Sequence, residues 1–212
     1  MAILNDISRN LIAGDDTRVA EQVAEAIQSS MPAAEILDDA LIAGMAVVGD
    51  RFRKHEMFLP EVLLSARAMA AGVALLKPLL IAEEVPSRGK VVLGSVQGDL
   101  HDIGKNLVGI MLEGAGFEVV DLGIDVPAEK FVDTAVSEGA SVIGVSSLLT
   151  TTMTQMKGVV DLVDERDLSG RVKVIVGGAP LSAEFAQSIG AHGYAYDAAS
   201  AVEKVLTLMG EA

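Results

Sequence analysis

The chain of 212 residues contains no cysteine and no tryptophan, and only two tyrosines and five phenylalanines. The lack of cysteine excludes disulfide bonds and thiolate metal sites and fits the reducing environment of the cytoplasm. No apolar run approaches the roughly 18 residues of a membrane span. The N-terminal segment MAILNDISRN lacks the positive start and apolar core of a secretory signal. The sequence therefore predicts a cytoplasmic protein that does not bind a membrane.

Basic residues are scarce, with 16 Lys and Arg against 30 Asp and Glu, which gives a formal net charge of −14. This charge repels phosphate backbones and removes the counterion release that drives non-specific binding to nucleic acids. DNA and RNA are therefore not expected as partners. The acidity is explained either by solubility or by a surface that steers the protein toward basic partner enzymes.

Half of the residues are hydrophobic, mainly Ala, Val, Leu, Ile and Met, which is enough for a sizeable core. Up to about residue 82 the apolar residues recur at helical spacing, as in Leu4, Ile7 and Leu11. Three breaks divide this region, at residues 14–16, 29–32 and 55–60. The four resulting amphipathic helices predict an antiparallel bundle over residues 1–85.

A linker is predicted from Glu83 to Gly89, and from Lys90 short Val- and Ile-rich runs alternate five times with amphipathic stretches. Strands are predicted at 91–96, 118–122, 141–146, 173–176 and 193–196, and helices at 104–115, 128–138, 151–165, 182–189 and 199–209. This alternation predicts that residues 86–212 form a flavodoxin-like, doubly wound sheet of five parallel strands. The ligand of such a sheet is expected at the carboxyl ends of the strands, near the topological switch point.

The loop after the first predicted strand reads Gly98-Asp99-Leu100-His101-Asp102-Ile103-Gly104-Lys105-Asn106. It places a carboxylate two residues before a histidine, at the edge where a ligand is expected. A metal-ligating imidazole usually donates its second N–H to a carboxylate, so His101 is a candidate ligand and Asp99 its support. Gly98 and Gly104 would let the loop approach a bulky group.

The loop sequence is also compared with a phosphate-binding loop, a zinc site and a purely structural loop, because each uses some of the same residue types. A phosphate-binding P-loop is disfavoured, because the spacing from Gly98 to Gly104-Lys105 is one residue too long and Asn106 replaces the Ser or Thr. A zinc site is weak because the chain has three histidines and no cysteine. A purely structural loop, in which His101 caps the following helix, stays open on the loop alone.

Three motifs follow the ends of predicted strands in order: Asp99-x-His101-x-x-Gly104, Ser146-x-Leu148 and Gly177-Gly178. Together they resemble the cobalamin signature of the methionine synthase corrinoid module and of free-standing methyltransferase corrinoid proteins. Gly44 to Phe52 and Met57 to Pro60 resemble the cap that this family places over the upper face of cobalt. The resemblance spans nearly the whole chain.

The resemblance implies that His101 is the lower axial ligand to cobalt, that Asp99 holds it, and that Ser146 completes a hydrogen-bonded relay. Gly177 and Gly178 would leave room for the displaced nucleotide tail. Further cofactor contacts are implied for Gly98, Asp102, Ile103, Gly104, Leu148, Thr150, Asp197 and Ala198, and for the cap residues Phe52 and Leu59. For Thr150 a helix N-cap, and for Asp197 and Ala198 an ordinary loop, are equally open. The remaining histidines, His55 and His192, are predicted to be solvated loop residues.

By this resemblance the protein is a methyl carrier that uses the Co(I) and methyl-Co(III) states of cobalamin. Its expected partners are a substrate-specific methyltransferase, a second methyltransferase that uses tetrahydrofolate or coenzyme M, and a reductive activase. The chain has no length for the homocysteine, folate or reactivation domains of methionine synthase.

Two other functions of cobalamin proteins are less favoured. A light-responsive cobalamin sensor needs an output module, and no basic helix-turn-helix pattern precedes the bundle. A radical mutase subunit would be obstructed by the segment from Phe52 to Pro60. The carrier is therefore the predicted function and the sensor its main alternative.

Overall fold

The structure is a computed structural model that describes residues 2–83 and 88–210. The chain divides into two compact units, an N-terminal helical unit and a C-terminal α/β unit. Their boundary falls within residues 84–87, outside the described residues. The predicted boundary between residues 85 and 86, and most of the predicted linker, also lie there.

The helical unit contains the four helices that the sequence predicts. Its elements are α1 (Ala2–Ile12), α2 (Asp16–Gln28), α3 (Ala33–Ile36), a π-helical segment (Leu37–Ile42), α4 (Ala43–Arg53) and α5 (Leu59–Ala82). The predicted third helix is the run of α3, the π-helical segment and α4. Asp15 caps α2, since its side chain accepts a hydrogen bond from the Arg18 N–H at 3.0 Å.

The π-helical segment is a departure from the uniform helix that the sequence predicts over this region. Ala40, Leu41 and Ile42 are buried in succession within it. In an α-helix consecutive side chains are about 100° apart, so three in a row do not face one core easily. The wider π turn changes that spacing locally, and this explains how three consecutive apolar residues become buried.

Helix α5 corrects the statement that no apolar segment is long enough to span a membrane. It has 24 residues, and an 18-residue window within it has a mean hydropathy of 1.5. By length and composition alone, this helix could cross a membrane. Val62, Met69 and Leu76 nevertheless lie on a buried face at helical spacing, and α5 packs against α2, α1 and α4 of its own unit. One face of α5 is therefore packed within its own unit, and the expectation that the protein binds no membrane stays a prediction.

The α/β unit alternates strands and helices along the chain. Its elements are β1 (Lys90–Ser95), α6 (Ile103–Gly114), β2 (Glu118–Asp121), α7 (Ala128–Glu138), β3 (Val142–Ser146), a 3₁₀ turn (Met153–Gln155), α8 (Met156–Glu165), β4 (Lys173–Gly177), α9 (Ala183–Ser188), β5 (Gly193–Ala195) and α10 (Ala198–Met209). The strands are parallel and lie in the order β2-β1-β3-β4-β5. This is the flavodoxin-like order, so the predicted fold class is confirmed.

The switch point of the sheet lies between β1 and β3. These two strands pair in a register that puts Ser95 opposite Ser146. Both strands are almost entirely buried, as expected for strands covered by helices on two faces. The loops that follow β1 and β3 therefore leave the sheet side by side.

Candidate metal-ligand site

The loop after β1 carries the predicted carboxylate and imidazole. Ser95, the last residue of β1, is fully buried, and its hydroxyl donates to the His101 backbone carbonyl at 2.6 Å. Gly98 has a φ of 83°, a left-handed conformation that favours glycine. The loop turns there, and the Asp99 N–H donates to the Val96 carbonyl at 3.0 Å. The sequence did not identify Ser95, whose only signal is its place at the strand end.

His101 and Asp99 form the predicted pair. The Nδ1 atom of His101 lies 2.8 Å from Oδ1 of Asp99, and the His101 backbone N–H donates to the same oxygen at 3.1 Å. Because an ionised carboxylate only accepts, Nδ1 carries the proton and the lone pair is left on Nε2. Among the described residues no hydrogen bond to Nε2 is found, and the His101 side chain is 49% exposed. This geometry leaves the Nε2 lone pair exposed, which a metal ligand requires, and the ligand role of His101 stays a prediction.

The other oxygen of Asp99 is saturated by donors from the loop after β3. Oδ2 accepts from the Leu148 N–H at 2.8 Å, from Thr152 Oγ1 at 2.8 Å and from Ser147 Oγ at 3.1 Å. The Asp99 side chain is completely buried. Burial alone would raise the pKa of Asp99, but the hydrogen bonds from His101, Leu148 and Thr152 outweigh it and hold that pKa well below its usual range. Asp99 therefore stays ionised beneath His101.

The relay residue predicted from the sequence, Ser146, needs a correction. Within the described part of the chain, the hydroxyls bonded to Asp99 are those of Ser147 and Thr152, and none comes from Ser146. Ser146 is the last residue of β3, and successive side chains along a strand point to opposite faces. The side chains of Ser146 and Ser147 are therefore expected to point in opposite directions, and it is that of Ser147 that reaches Asp99. The residues bonded to Asp99 belong to the Ser146-Ser147 doublet and to the run Thr150-Thr151-Thr152. To choose the correct serine and threonine, one has to know at which residue β3 ends. A cofactor contact from Ser146 stays a prediction.

Gly177 and Gly178 follow β4 and support the same loop. The Ser147 N–H donates to the Gly177 carbonyl at 3.1 Å. Gly178 has a φ of 139°, and a Cβ built there would overlap the backbone carbonyl oxygen of Ser147. The protein's own backbone thus fills the space beside Gly178. This close approach is a structural reason for glycine at position 178, and the predicted slot for the nucleotide tail stays a prediction.

The edge of the sheet around His101 is unusually apolar for an exposed surface. Leu100 and Ile103 are 67% and 71% exposed on the loop after β1, and Tyr196 is 65% exposed after β5. Leu148 and Leu149 are also exposed after β3. Since the carboxyl ends of parallel strands meet at one edge, these side chains lie at the same edge of the sheet as the histidine loop. An apolar rim about one nitrogen ligand fits a large, flat, metal-containing ring.

The other predicted contacts in the α/β unit are distributed as follows. Asp102, Gly104 and Thr150 are exposed, and a Cβ on Gly104 would meet no atom within 4 Å. Asp197 caps α10: its carboxylate accepts from the Ser200 N–H at 2.7 Å, while the Ser200 hydroxyl accepts from the Asp197 N–H at 3.0 Å. Ala198 is buried. Contacts from these residues to a cofactor stay predictions.

The predicted cap residues belong to the helical unit. Phe52 lies on α4 and Leu59 begins α5, and both side chains are half-buried. The Phe58 N–H between them donates to the Glu61 carboxylate at 2.8 Å, which fixes the start of α5. Their role over a cofactor stays a prediction.

The contacts of Lys105 argue against a phosphate-binding role for the loop. Its side chain is buried, and Nζ bonds to both carboxylate oxygens of Asp121, at 2.6 and 2.5 Å, and to Oδ1 of Asn106 at 2.7 Å. A P-loop lysine has to reach a phosphate, but this one is committed to the end of β2. Lys105 anchors the first turn of α6 to the sheet.

His192 was predicted to be a solvated loop residue, but it is half-buried and bonded to β4. The side-chain Nδ1 of His192 accepts a hydrogen bond from the Val174 N–H at 3.0 Å, and the backbone N–H of His192 donates to the Val174 carbonyl at 2.8 Å. Burial, and then the charge of Lys173, lower the pKa of His192. The neutral side chain thus serves as a strand partner for β4 at the start of the edge strand β5.

Fold and site together define a flavodoxin-like α/β unit that carries an exposed histidine, held by a buried carboxylate, at the carboxyl edge of its sheet. Residues 89–205 match the B12 binding domain family model, and residues 3–77 match a second model with the same description. Among curated proteins, a corrinoid protein of Desulfitobacterium hafniense is 42% identical over 100% of this chain and 99% of its own length. The dimethylamine corrinoid protein of Methanosarcina barkeri is 45% identical over 88% of each chain.

Two solved structures are similar in fold. The methanol:cobalamin methyltransferase complex MtaBC from Methanosarcina barkeri matches with a TM-score of 0.86 and 31% identity, over 100% of this chain and 81% of the other. A cobalamin-binding protein from Desulfitobacterium hafniense matches with a TM-score of 0.80 and 33% identity, over 97% and 98%. The chain belongs to the family of B12-binding corrinoid proteins. The prediction of a corrinoid cofactor is confirmed.

Proposed function

We propose that this protein is a methyl carrier, which accepts a methyl group from a substrate-specific methyltransferase and delivers it to a second one. The observation that carries the proposal is the His101 Nε2 atom, exposed within an apolar rim and backed by the buried Asp99. The relatives support it, since several are named dimethylamine or trimethylamine corrinoid proteins. A bound corrinoid supplies a cobalt centre that can take up and release a methyl group.

The residues of this chain would divide the work as follows. His101 is proposed as the axial ligand to cobalt, and the Asp99 carboxylate fixes its tautomer and orientation. Thr152, Ser147 and the Leu148 N–H hold the carboxylate ionised, so that it accepts the hydrogen bond from Nδ1 of His101. The rim residues Leu100 and Ile103 would exclude water from one side of the ring.

The proposed partners are a methyl-donor methyltransferase, an acceptor methyltransferase that uses tetrahydrofolate or coenzyme M, and a reductive activase. Methylamines are the first choice among the proposed methyl donors, because the names of the relatives mention them. Methanol and methoxylated aromatics are the next candidates. The protein is proposed to work in the cytoplasm, without nucleic acid or membrane. The formal charge of −14 is compatible with docking onto basic surfaces of the partner enzymes.

The ligand role is tested by His101→Ala. The reconstituted Co(II) protein should lose the nitrogen superhyperfine splitting of its electron paramagnetic resonance spectrum, while the fold persists because the residue lies on an exposed loop. His55→Ala is the matched control, because His55 is an exposed histidine of the helical unit. An unchanged nitrogen pattern in His101→Ala would show that another base binds cobalt.

The carrier role is tested by methyl transfer itself. The reduced holoprotein is incubated with isotope-labelled dimethylamine and a dimethylamine methyltransferase, and the label on the reisolated protein is counted. One label per cofactor, released on addition of an acceptor methyltransferase with its substrate, is the expected result. A protein that takes label from no methylamine, methanol or methoxylated aromatic system, yet changes its oligomeric state in light, would be the sensor instead.

A further inference from the structure

The loop after β2 lies directly against the histidine loop and continues its pairing beyond the end of the sheet ladder. The Ser95 N–H donates to the Gly123 carbonyl, and the Val126 N–H donates to the Ser95 carbonyl, both at 3.0 Å. Val96 and Val126 form an isolated parallel bridge. The segment 123–126 therefore forms one side of the histidine loop.

Asp125 makes two opposed contacts within this segment. Its carboxylate Oδ1 accepts from the Gly98 N–H at 2.7 Å, and its backbone N–H donates to the Asp99 carbonyl at 3.0 Å. It therefore holds the two consecutive residues that lead into His101. The short distance to Gly98 is that of a charge-assisted hydrogen bond.

The backbone of Asp125 is in a conformation that it would not choose alone. Its φ is 54°, in the left-handed region, which is uncommon for residues other than glycine. Aspartate and asparagine tolerate this region better than other side chains. Such a conformation persists only where surrounding contacts determine it, and the surrounding contacts here are those with Gly98 and Asp99.

We propose that Asp125 is a positioning residue for the axial histidine: its clasp on Gly98 and Asp99 fixes the direction in which the Asp99–His101 pair presents Nε2. The contacts of Asp99 with the β3 loop fix its carboxylate, and the contact of Ser95 fixes the His101 carbonyl. Asp125 adds the third support, on the side of β2. This inference rests on the proposed ligand role of His101, and not on methyl transfer.

Two variants separate the hydrogen bond from the charge and from the backbone. Asp125→Gly keeps the left-handed conformation accessible but removes the acceptor, whereas Asp125→Asn keeps a carbonyl oxygen and removes the charge. In the Co(II) holoprotein at fixed pH, the ratio of histidine-bound to histidine-free cobalt is read from the nitrogen splitting. The ratio should fall about fivefold in Asp125→Gly and stay within about twofold of the wild type in Asp125→Asn.

The cofactor-free protein gives a second readout. In the wild type and in Asp125→Asn, the His101 Nδ1–H should give a resolved nitrogen–proton NMR signal, because its bond to Asp99 slows exchange with water. In Asp125→Gly that signal should broaden, while the signals of the helical unit stay in place. A merely structural loop contact would not change the histidine ring signal.

Three results would overturn the proposal. The first is a wild-type cobalt ratio in a folded Asp125→Gly protein, and the second is a ratio that falls further in Asp125→Asn than in Asp125→Gly, since a retained acceptor would then not help to position His101. The third needs no variant and decides the case if Asp125→Gly does not fold: rapid hydrogen exchange of the Gly98 amide in the wild type would mean that the clasp does not exist, and slow exchange supports it. If His101→Ala leaves the nitrogen splitting unchanged, the ligand role fails instead, and the NMR and exchange data still judge the clasp.

Discussion

The two units of this protein are stabilised in different ways. Among the described residues, the α/β unit buries the polar side chains of Ser95, Asp99, Lys105, Ser147 and Thr152, and the helical unit buries only that of Ser65. No buried side-chain polar atom in the described part of the chain lacks a hydrogen-bond partner. The helical unit therefore depends mainly on apolar area, while the α/β unit also depends on hydrogen bonds of fixed direction.

The largest effect is expected from Gly178→Val, which should unfold the site without removing any side-chain contact. The new Cβ would overlap the Ser147 carbonyl, and the φ of 139° is unfavourable for valine. We expect a loss of about 4 kcal/mol in the free energy of unfolding of the cofactor-free protein. Tyrosine fluorescence during urea unfolding is a suitable measurement, because Tyr194 and Tyr196 both lie in the α/β unit.

Gly170→Ala is the matched control for Gly178→Val. A Cβ on Gly170 would meet no atom within 4 Å, so the change should stay within about 0.5 kcal/mol. If the cofactor-free Gly178→Val protein were as stable as the wild type and lost only cobalamin affinity, the glycine would serve the ligand and not the Ser147 loop.

A somewhat smaller effect is expected from Leu76→Ala in the helical unit. Leu76 is fully buried on α5, so its truncation leaves a cavity and should cost about 3 kcal/mol, whereas Leu75→Ala, next to it and 39% exposed, should cost less than about 1 kcal/mol. Far-UV circular dichroism during unfolding measures the loss of helix. The His101 Nδ1–H signal should be the same in both variants, and its loss in Leu76→Ala would show that the two units are not independent in this respect.

The smallest effect is expected from pH and should be confined to the α/β unit. The pKa of His192 is lowered in the folded state, so the unfolded chain binds the proton more readily. Stability should therefore be full above the unfolded pKa of about 6.5 and fall as the pH drops from there toward the lowered pKa of the folded state. Urea unfolding followed by tyrosine fluorescence at several pH values checks this.

His192→Asn and His192→Leu separate the two roles of this histidine. Asparagine keeps an acceptor near the Val174 N–H but cannot titrate, so this variant should lose the pH dependence and keep most of the stability at neutral pH. Leucine loses the acceptor as well and should be destabilised by about 1 kcal/mol at every pH. An unchanged pH slope in His192→Asn would assign the dependence to other groups.

The sequence predicted the architecture well because the strongest signals in it are periodic. The change from helical spacing to short Val- and Ile-rich runs at Lys90 located the α/β unit, and the order of the motifs located the edge of the sheet. Periodicity could not predict the π-helical segment, where three consecutive apolar residues fit a wider turn. It also did not predict that α5 is long and apolar enough, by length and composition, to cross a membrane.

The site was predicted in its pair of His101 and Asp99 but not in the supports of that pair. Spacing along one loop is visible in a sequence, and this made the pair predictable. The supports come from two other loops, through Ser147 and Thr152 after β3 and Asp125 after β2, and only the register of the strands brings them together. His192 was misassigned for the same reason, since its partner Val174 lies on another strand.

The hydrogen bonds that Asp99 receives from the loop after β3 also bear on how a cofactor is taken up. Because the protein's own groups complete the hydrogen bonds of Asp99, a corrinoid would meet a receptor that is already ordered, and little conformational entropy would be lost in forming the histidine loop. Discrimination among corrinoids would then depend on the apolar rim of Leu100, Ile103 and Tyr196, which faces solvent. The histidine loop would bind the cobalt that all corrinoids share. The rim would discriminate among corrinoids by the ring around that cobalt.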